Sequence, residues 1–356
     1  MANNGIDNSK MAEKTLKGQR IGLITNQTGV AKDFTPDAQV LNTLGTVVKL
    51  FCPEDAIASG STVPVVTLTG ANLPTAALAD VDVLAYDIAG TGVRFDPSVA
   101  LELAGMRAAA EADLPFVVFD RVLPLGRLDP EGTPMPAALA SADGVAGLPI
   151  LHSLTPGELA RWANSQIECD LRVVPVTDWD VTGTVAENDL PWIAPAQTLP
   201  ALASVALLPG LGLLEGLNVS VGRGTALPFQ QFGAPWLNSQ KLSEMLSQTL
   251  AGQSGQVHYR PTVFKPLSGQ YQGEVCQGIQ VHLQHLWQPQ LLNVGLDILF
   301  ALHALHPSEL AVDAKRLAAL TGEVDVFSQE LTALKSANKK AGAKFAEASK
   351  AARLYQ

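Results

Sequence analysis

The sequence predicts an α/β protein, a Rossmann-like doubly wound parallel sheet with a smaller C-terminal α+β domain. Three observations predict it. Short, bounded runs rich in β-branched and aromatic residues alternate with helical stretches through the first half of the chain. Those runs are continuously apolar rather than alternating, as befits strands covered on both faces. From about Pro191 to Trp236 the chain changes character, with Gly, Pro and Asn crowding together and little periodicity.

The elements follow in order. Arg20–Asn26 (RIGLITN), Val47–Cys52, Val63–Leu68, Asp82–Ile88 and Phe116–Asp120 read as buried strands, and Leu171–Val176 as another. Asp37–Leu44 and Pro97–Ala112 read as helices; Pro97 suits a first turn, where its missing N–H has no intrahelical partner to lose. Thr155-Pro156-Gly157-Glu158 is a capping-box opening for a helix through Ala163, with Thr155 as N-cap and Glu158 at N3. Past the irregular stretch, a helix is expected at Ser239–Leu250, strands around Val257–Phe264 and Gly278–Leu283, and helices at Gln290–His303 and Ser328–Arg353. In the last, Leu331, Leu334, Ala341, Phe345, Ala348 and Ala352 share one face, and the lysines form a solvated one. A length of 356 residues fits about two domains of roughly 150 each. The break is expected near residue 205, giving a catalytic domain over 1–205 and an auxiliary one over 206–356.

Composition narrows the function. Lys+Arg 24 against Asp+Glu 34 leaves a net charge of −10, and no basic stripe offsets it. General binding to nucleic acid or to an anionic membrane is excluded on that ground, and an anionic substrate needs locally placed arginines. Aromatics at 6% are too sparse for a stacking platform. Cys52, Cys169 and Cys276 are far apart and outside any CxxC pattern, so neither a disulfide framework nor a zinc site is expected. The first fifteen residues lack the apolar core of a secretory signal, and no apolar run reaches the ~18 residues of a membrane span. The chain as written is expected to be cytoplasmic, or secreted or periplasmic if a leader has been removed.

Several chemistries lack their signals. The turn after the first strand, Thr25-Asn26-Gln27-Thr28-Gly29, is not GxGxxG, and Gly222-Arg223-Gly224-Thr225 lacks the lysine and spacing of a Walker loop. His282 and His285 lie in a stretch that alternates like a strand, with no carboxylate beside them, which favours two surface histidines over metal ligands. No GxSxG elbow is present. Neither cofactor nor metal is therefore expected.

What remains is carboxylates at strand ends. Glu54 and Asp55 follow Val47–Cys52, Asp87 ends DVLAYDI, and Asp120-Arg121 ends PFVVFDR. Ligands of open α/β sheets bind beyond the carboxyl ends of the strands, so these acids share one functional rim. Glycoside hydrolysis needs a carboxyl that protonates the leaving oxygen and usually a second carboxylate. Glu54 is the natural acid, with Asp87 or Asp120 as second carboxylate or orienting group.

From end to end, an ordered string of motifs resembles the NamZ-type exo-β-N-acetylmuramidases, formerly the DUF1343 family. The pieces are LKGQRIGLITNQTGV (Leu16–Val30), LFCPED (Leu50–Asp55), DVLAYDIAGTGVRF (Asp82–Phe95), VVFDRVLPLG (Val117–Gly126), LTPGELARWAN (Leu154–Asn164), LPWIAPAQTLP (Leu190–Pro200) and EGLNVSVGRGTALPFQQFGAPW (Glu215–Trp236). The resemblance implies a Rossmann-like catalytic domain and a smaller C-terminal one. It implies a hydrolase of cell-wall recycling that releases N-acetylmuramic acid from the non-reducing end of peptidoglycan fragments. The glutamate of the family's Pro-Glu-His-Gly motif falls on Glu54.

There are departures. Asp55 and Ala56 stand for that motif's His and Gly, Gly90 for an Asp, and Asp96-Pro97-Ser98 for Tyr-Thr-Tyr. Val122-Leu123 replaces Pro-Asn after Asp120-Arg121, and Leu217 replaces a Thr before Asn218. Arg94, Arg121, His152, Glu215, Asn218 and Arg223 are the substrate-binding candidates. Arg223, flanked by glycines, is set against Arg94 and Arg121 as receiver of the lactyl carboxylate. The lost polar residues leave a second reading open, a catalytically impaired relative that binds muramyl sugars or a protein partner.

Overall fold

The computed structural model describes residues 1–54, 63–70, 72–141, 144–286 and 290–356. They form two compact units. The first comprises Met1–Arg127, Ser153–Ala196 and Glu347–Gln356, and the second Leu128–His152 and Gln197–Ala346. The chain leaves the first unit at Arg127, returns at Ser153, and sends its last ten residues back. Residues 128–152 carry no periodic pattern, so only tertiary packing decides where they belong.

The first unit is built on strands β1 (Arg20–Thr25), β2 (Thr46–Pro53), β3 (Val65–Leu68), β4 (Val83–Asp87), β5 (Phe116–Phe119) and β6 (Leu171–Val174). They pair in parallel in the order β3-β2-β1-β4-β5-β6, the doubly wound order expected. Residues Ile21 to Thr25 and Val83 to Asp87 are all buried, as unbroken apolar runs require. Helix Pro97–Glu111 starts where Asp96 accepts a hydrogen bond from the Ser98 N–H, with Pro97 in its first turn. It lies close to the sheet because Gly105 has no side chain: a Cβ there would stand 2.6 Å from Ile24 Cδ1. Helix Pro156–Ile167 opens with the predicted capping box, Thr155 and Glu158 satisfying each other's backbone N–H groups.

The second unit holds β7 (Gln231–Ala234), β8 (Val257–Phe264) and β9 (Cys276–Leu283) in the antiparallel order β7-β9-β8. Helix Leu202–Leu211, within the stretch that reads as irregular, is buried from Ser204 to Leu211. It is apolar all round, so it has no amphipathic period to read. It packs on helix Leu291–Leu305 with Gly210 against Gly295. Glu131 closes the start of that helix, its two oxygens accepting from the N–H groups of Gln290 (2.7 Å), Leu291 (3.1 Å) and Leu292 (2.9 Å). Burial nevertheless pushes the Glu131 carboxyl up to about 7, against those three donors. His282 on β9 and His285 beyond it are exposed. Among the described residues no helix is long and apolar enough to cross a membrane, and no group of three potential metal ligands forms. The three cysteines are free and buried.

Candidate functional site

Strand order reverses between β1 and β4, whose last residues, Thr25 and Asp87, lie side by side. This is the point where an open α/β sheet offers a ligand crevice. Asp87 is fully buried and is met by the Arg121 fork, Nε to Oδ1 at 2.5 Å and Nη2 to Oδ2 at 2.7 Å. Arg121 Nη2 also donates to the Val30 carbonyl at 3.0 Å. Asp37, from the segment after β1, is buried too; it accepts from the Thr25 hydroxyl and from the Ala38 N–H at 2.6 Å. Burial raises the pKa of Asp87, with Arg121 pulling the other way. Burial raises Asp37 well above the carboxylate range, and the neighbouring Asp87 charge adds to it. Burial works against the charge of Arg121, but Asp87 and Asp37 outweigh it and its pKa is raised.

Asp120, at the end of β5, has every oxygen engaged. Oδ1 accepts from the N–H groups of Arg121 (2.9 Å) and Gly157 (2.8 Å), and Oδ2 from the hydroxyls of Thr155 (2.8 Å) and Tyr355 (2.5 Å). Burial lifts it to about 6, with these donors pulling it down. The Tyr355 oxygen in turn accepts from the Val176 N–H at 2.9 Å. The rest of the C-terminal tail is held by Glu158, which takes the Leu354 N–H at 2.9 Å and pairs with Arg127 at 2.5 Å. The ring of Trp179 stands edge-on to Tyr355, centroids 5.1 Å apart. The expected acid at this strand end is thus enclosed by the chain's own terminus.

At its other end the chain crosses the same rim. Gly5 donates to the Asp120 carbonyl at 2.6 Å, and a Cβ on it would stand 2.4 Å from the Val174 carbonyl oxygen. The Asn4 side chain accepts from the Val122 N–H at 3.2 Å. Between this segment and the switch point lies a cavity of about 40 Å³, lined by Asn4, Thr28, Ala89, Arg121, Val122 and Trp192 among others.

Glu54 differs from these acids. It follows the last residue of β2 directly and is exposed. Asp55 and Ala56, which stand where the motif has His and Gly, lie outside the described residues.

Arg94 is fully buried, and burial lowers its pKa to about 10. His152 is buried as well. Neither presents an open surface of the kind expected of a substrate-binding residue. In the second unit Asn218 is a staple: it donates to the Glu309 carbonyl at 3.0 Å and accepts from the Ala311 N–H at 2.7 Å. Glu215 accepts from Arg223 Nε at 2.6 Å and pairs with Arg316 Nη2 at 3.4 Å, so two guanidiniums share one carboxylate. Arg223 also lies over the Phe229 ring, 5.0 Å from its centroid. The side chain of Arg223 is 42% exposed, which leaves its outer nitrogens accessible.

Sequence reasoning passed over Asp37, Thr28 and Trp192. Their signal is weak: Thr28 and Trp192 are lone residues in loops, and Asp37 at the start of a helix reads as an ordinary first-turn acid.

Fold and site together define a doubly wound α/β protein with a cavity beside the switch point of its sheet and an exposed glutamate one residue beyond the neighbouring strand β2. The chain belongs to the exo-β-N-acetylmuramidase NamZ family: the family's N-terminal domain matches residues 21–203 and its C-terminal domain residues 206–355. It is 33% identical over 318 residues to the peptidoglycan β-N-acetylmuramidase NamZ of Bacillus subtilis, covering 83% of this chain and 76% of that protein. Crystal structures of two DUF1343 family proteins from Bacteroides fragilis are similar over 100% of this chain and 99% of theirs. One has a TM-score of 0.89 at 29% identity, the other 0.79 at 26%.

Proposed function

We propose that the chain is a glycoside hydrolase that releases N-acetylmuramic acid from the non-reducing end of peptidoglycan fragments. The observation that carries this reading is the family match over both domains, together with a relative 33% identical that is a peptidoglycan β-N-acetylmuramidase. Glu54 is the general acid, giving its proton to the glycosidic oxygen as the bond from the anomeric carbon to that oxygen breaks and a water oxygen bonds to the anomeric carbon in its place, the water's proton passing to solvent. Its position one residue beyond β2, the strand beside β1 of the switch point, supports that role. Asp87 acts as an orienting group, holding Arg121 by two bonds at the crevice. Asp120 keeps the loop and the C-terminal tail in place rather than touching sugar.

The test is to incubate the protein with the disaccharide of N-acetylmuramic acid β-linked to N-acetylglucosamine and identify the products. Free N-acetylmuramic acid supports the reading, and intact disaccharide under conditions where the protein is folded contradicts it. A second reading, binding of muramyl sugars or a protein partner without hydrolysis, is favoured by one observation. Of the strand-end acids at Glu54, Asp87 and Asp120, two are spent on internal bonds, which leaves a single open carboxylate. Calorimetric binding of the disaccharide with no sugar released would support it.

A further inference from the structure

We infer that the cavity beside Arg121 is an acyl-amide subsite, taking the acetamido group of a sugar with its carbonyl on Arg121 Nη1 and its methyl against Val122, Leu190 and Trp192. The inference rests on the muramidase reading for its substrate class and adds which part of the sugar this cavity selects.

The donor is a buried one. The Arg121 side chain is 6% exposed, and its Nε and Nη2 are committed to Asp87 and to the Val30 carbonyl. That leaves Nη1 for the cavity the residue lines. The Thr28 hydroxyl cannot compete, because it donates to Asn26 at 2.6 Å and accepts from the Ala89 N–H at 2.9 Å.

The cavity's charge selects a neutral acceptor. Arg121 is balanced by Asp87, and the other cation on the wall, Lys32, reaches Asp189 at 3.2 Å. A carboxylate entering here would lose its hydration without meeting a net positive charge. An ammonium would face the guanidinium. An amide carbonyl accepts the Nη1 hydrogen bond and brings no charge to desolvate.

The cavity's size fits the same group. About 40 Å³ holds roughly three positions at the ~10–15 Å³ each that a water needs by this measure. The carbonyl carbon, its oxygen and the methyl of an acetyl group are three heavy atoms. Apolar walls at Val122, Leu190 and Trp192 suit the methyl.

The experiment is calorimetry of the full chain with N-acetylmuramic acid, its N-butyryl analogue and the free-amine sugar. The acetyl form should bind about tenfold or more tighter than either of the others, the usual scale of discrimination by a misfitted methylene or an unmade hydrogen bond. An Ala89→Leu variant, which fills the cavity, should lose that preference. The ranking on the unaltered chain stands as a test if this variant fails to fold. Equal affinity for all three sugars, or no binding of any, overturns the subsite. Acetyl-selective binding with no release of sugar from the disaccharide keeps the subsite and removes the hydrolase reading.

Discussion

The carboxyl ends of β4 and β5 and the carboxyl end of β2 belong to one sheet, yet they treat their acids differently. Asp87 and Asp120 are 0% exposed and bonded on both oxygens to a guanidinium, hydroxyls and backbone N–H groups. Glu54, one residue beyond β2, is exposed. A strand end supplies position alone; enclosure and partners decide whether an acid carries structure or remains available for chemistry. The N-terminal segment around Gly5 and the C-terminal Tyr355 do the enclosing at β5.

Substitutions on the two sides should therefore separate stability from activity, and the enclosed side comes first because its effects on stability are the largest. Asp87→Ala strands the buried Arg121 without its partner and should cost about 3–5 kcal/mol in urea unfolding, the usual penalty for half of a buried pair. A loss below about 1 kcal/mol, the range of exposed pairs, would break the comparison. Tyr355→Phe removes the hydroxyl that bridges Asp120 and the Val176 N–H, and should cost about 1–3 kcal/mol by the same measurement. No change there would show the C-terminal tail to be a bystander.

Glu131 has its folded pKa raised to about 7 from an ordinary 4.5, so between those values the folded chain binds the proton more than the unfolded chain does. Its stabilising contribution is present below about pH 4.5 and is lost as pH rises through 7. For this half-buried group the loss is on the order of 1–2 kcal/mol, and Glu131→Gln should flatten the slope. A wild-type slope that survives the substitution unchanged would assign it to another group. The smallest effect is expected at the exposed Arg20–Asp82 pair: Arg20→Ala should leave the unfolding midpoint where it is.

Much of the first unit is legible in the sequence because its strands are unbroken apolar runs and its helices carry local start signals, Pro97 and Thr155 with Glu158. The runs that read as β1 to β6 differ by only one or two residues at their ends from the strands formed. What stays hidden is long-range. Tyr355 meets Asp120 across 235 positions, and the Arg121 fork reaches back 34 to Asp87, and no spacing rule encodes either contact. Helix Leu202–Leu211 is hidden for another reason, since burial on all sides erases the amphipathic stripe that would reveal it. The strand-end rule brings Asp87, Asp120 and Glu54 to notice together, but it cannot say which of them the fold consumes.

The central claim is that Glu54 does the chemistry while the enclosed acids hold the frame. Its most direct test is turnover of a chromogenic N-acetyl-β-muramide by wild type and by Glu54→Gln, with thermal unfolding of both. The account predicts a fall in kcat of roughly 10²-fold or more, the usual contribution of a general acid, at an unchanged unfolding midpoint. Equal turnover by the two proteins would contradict it.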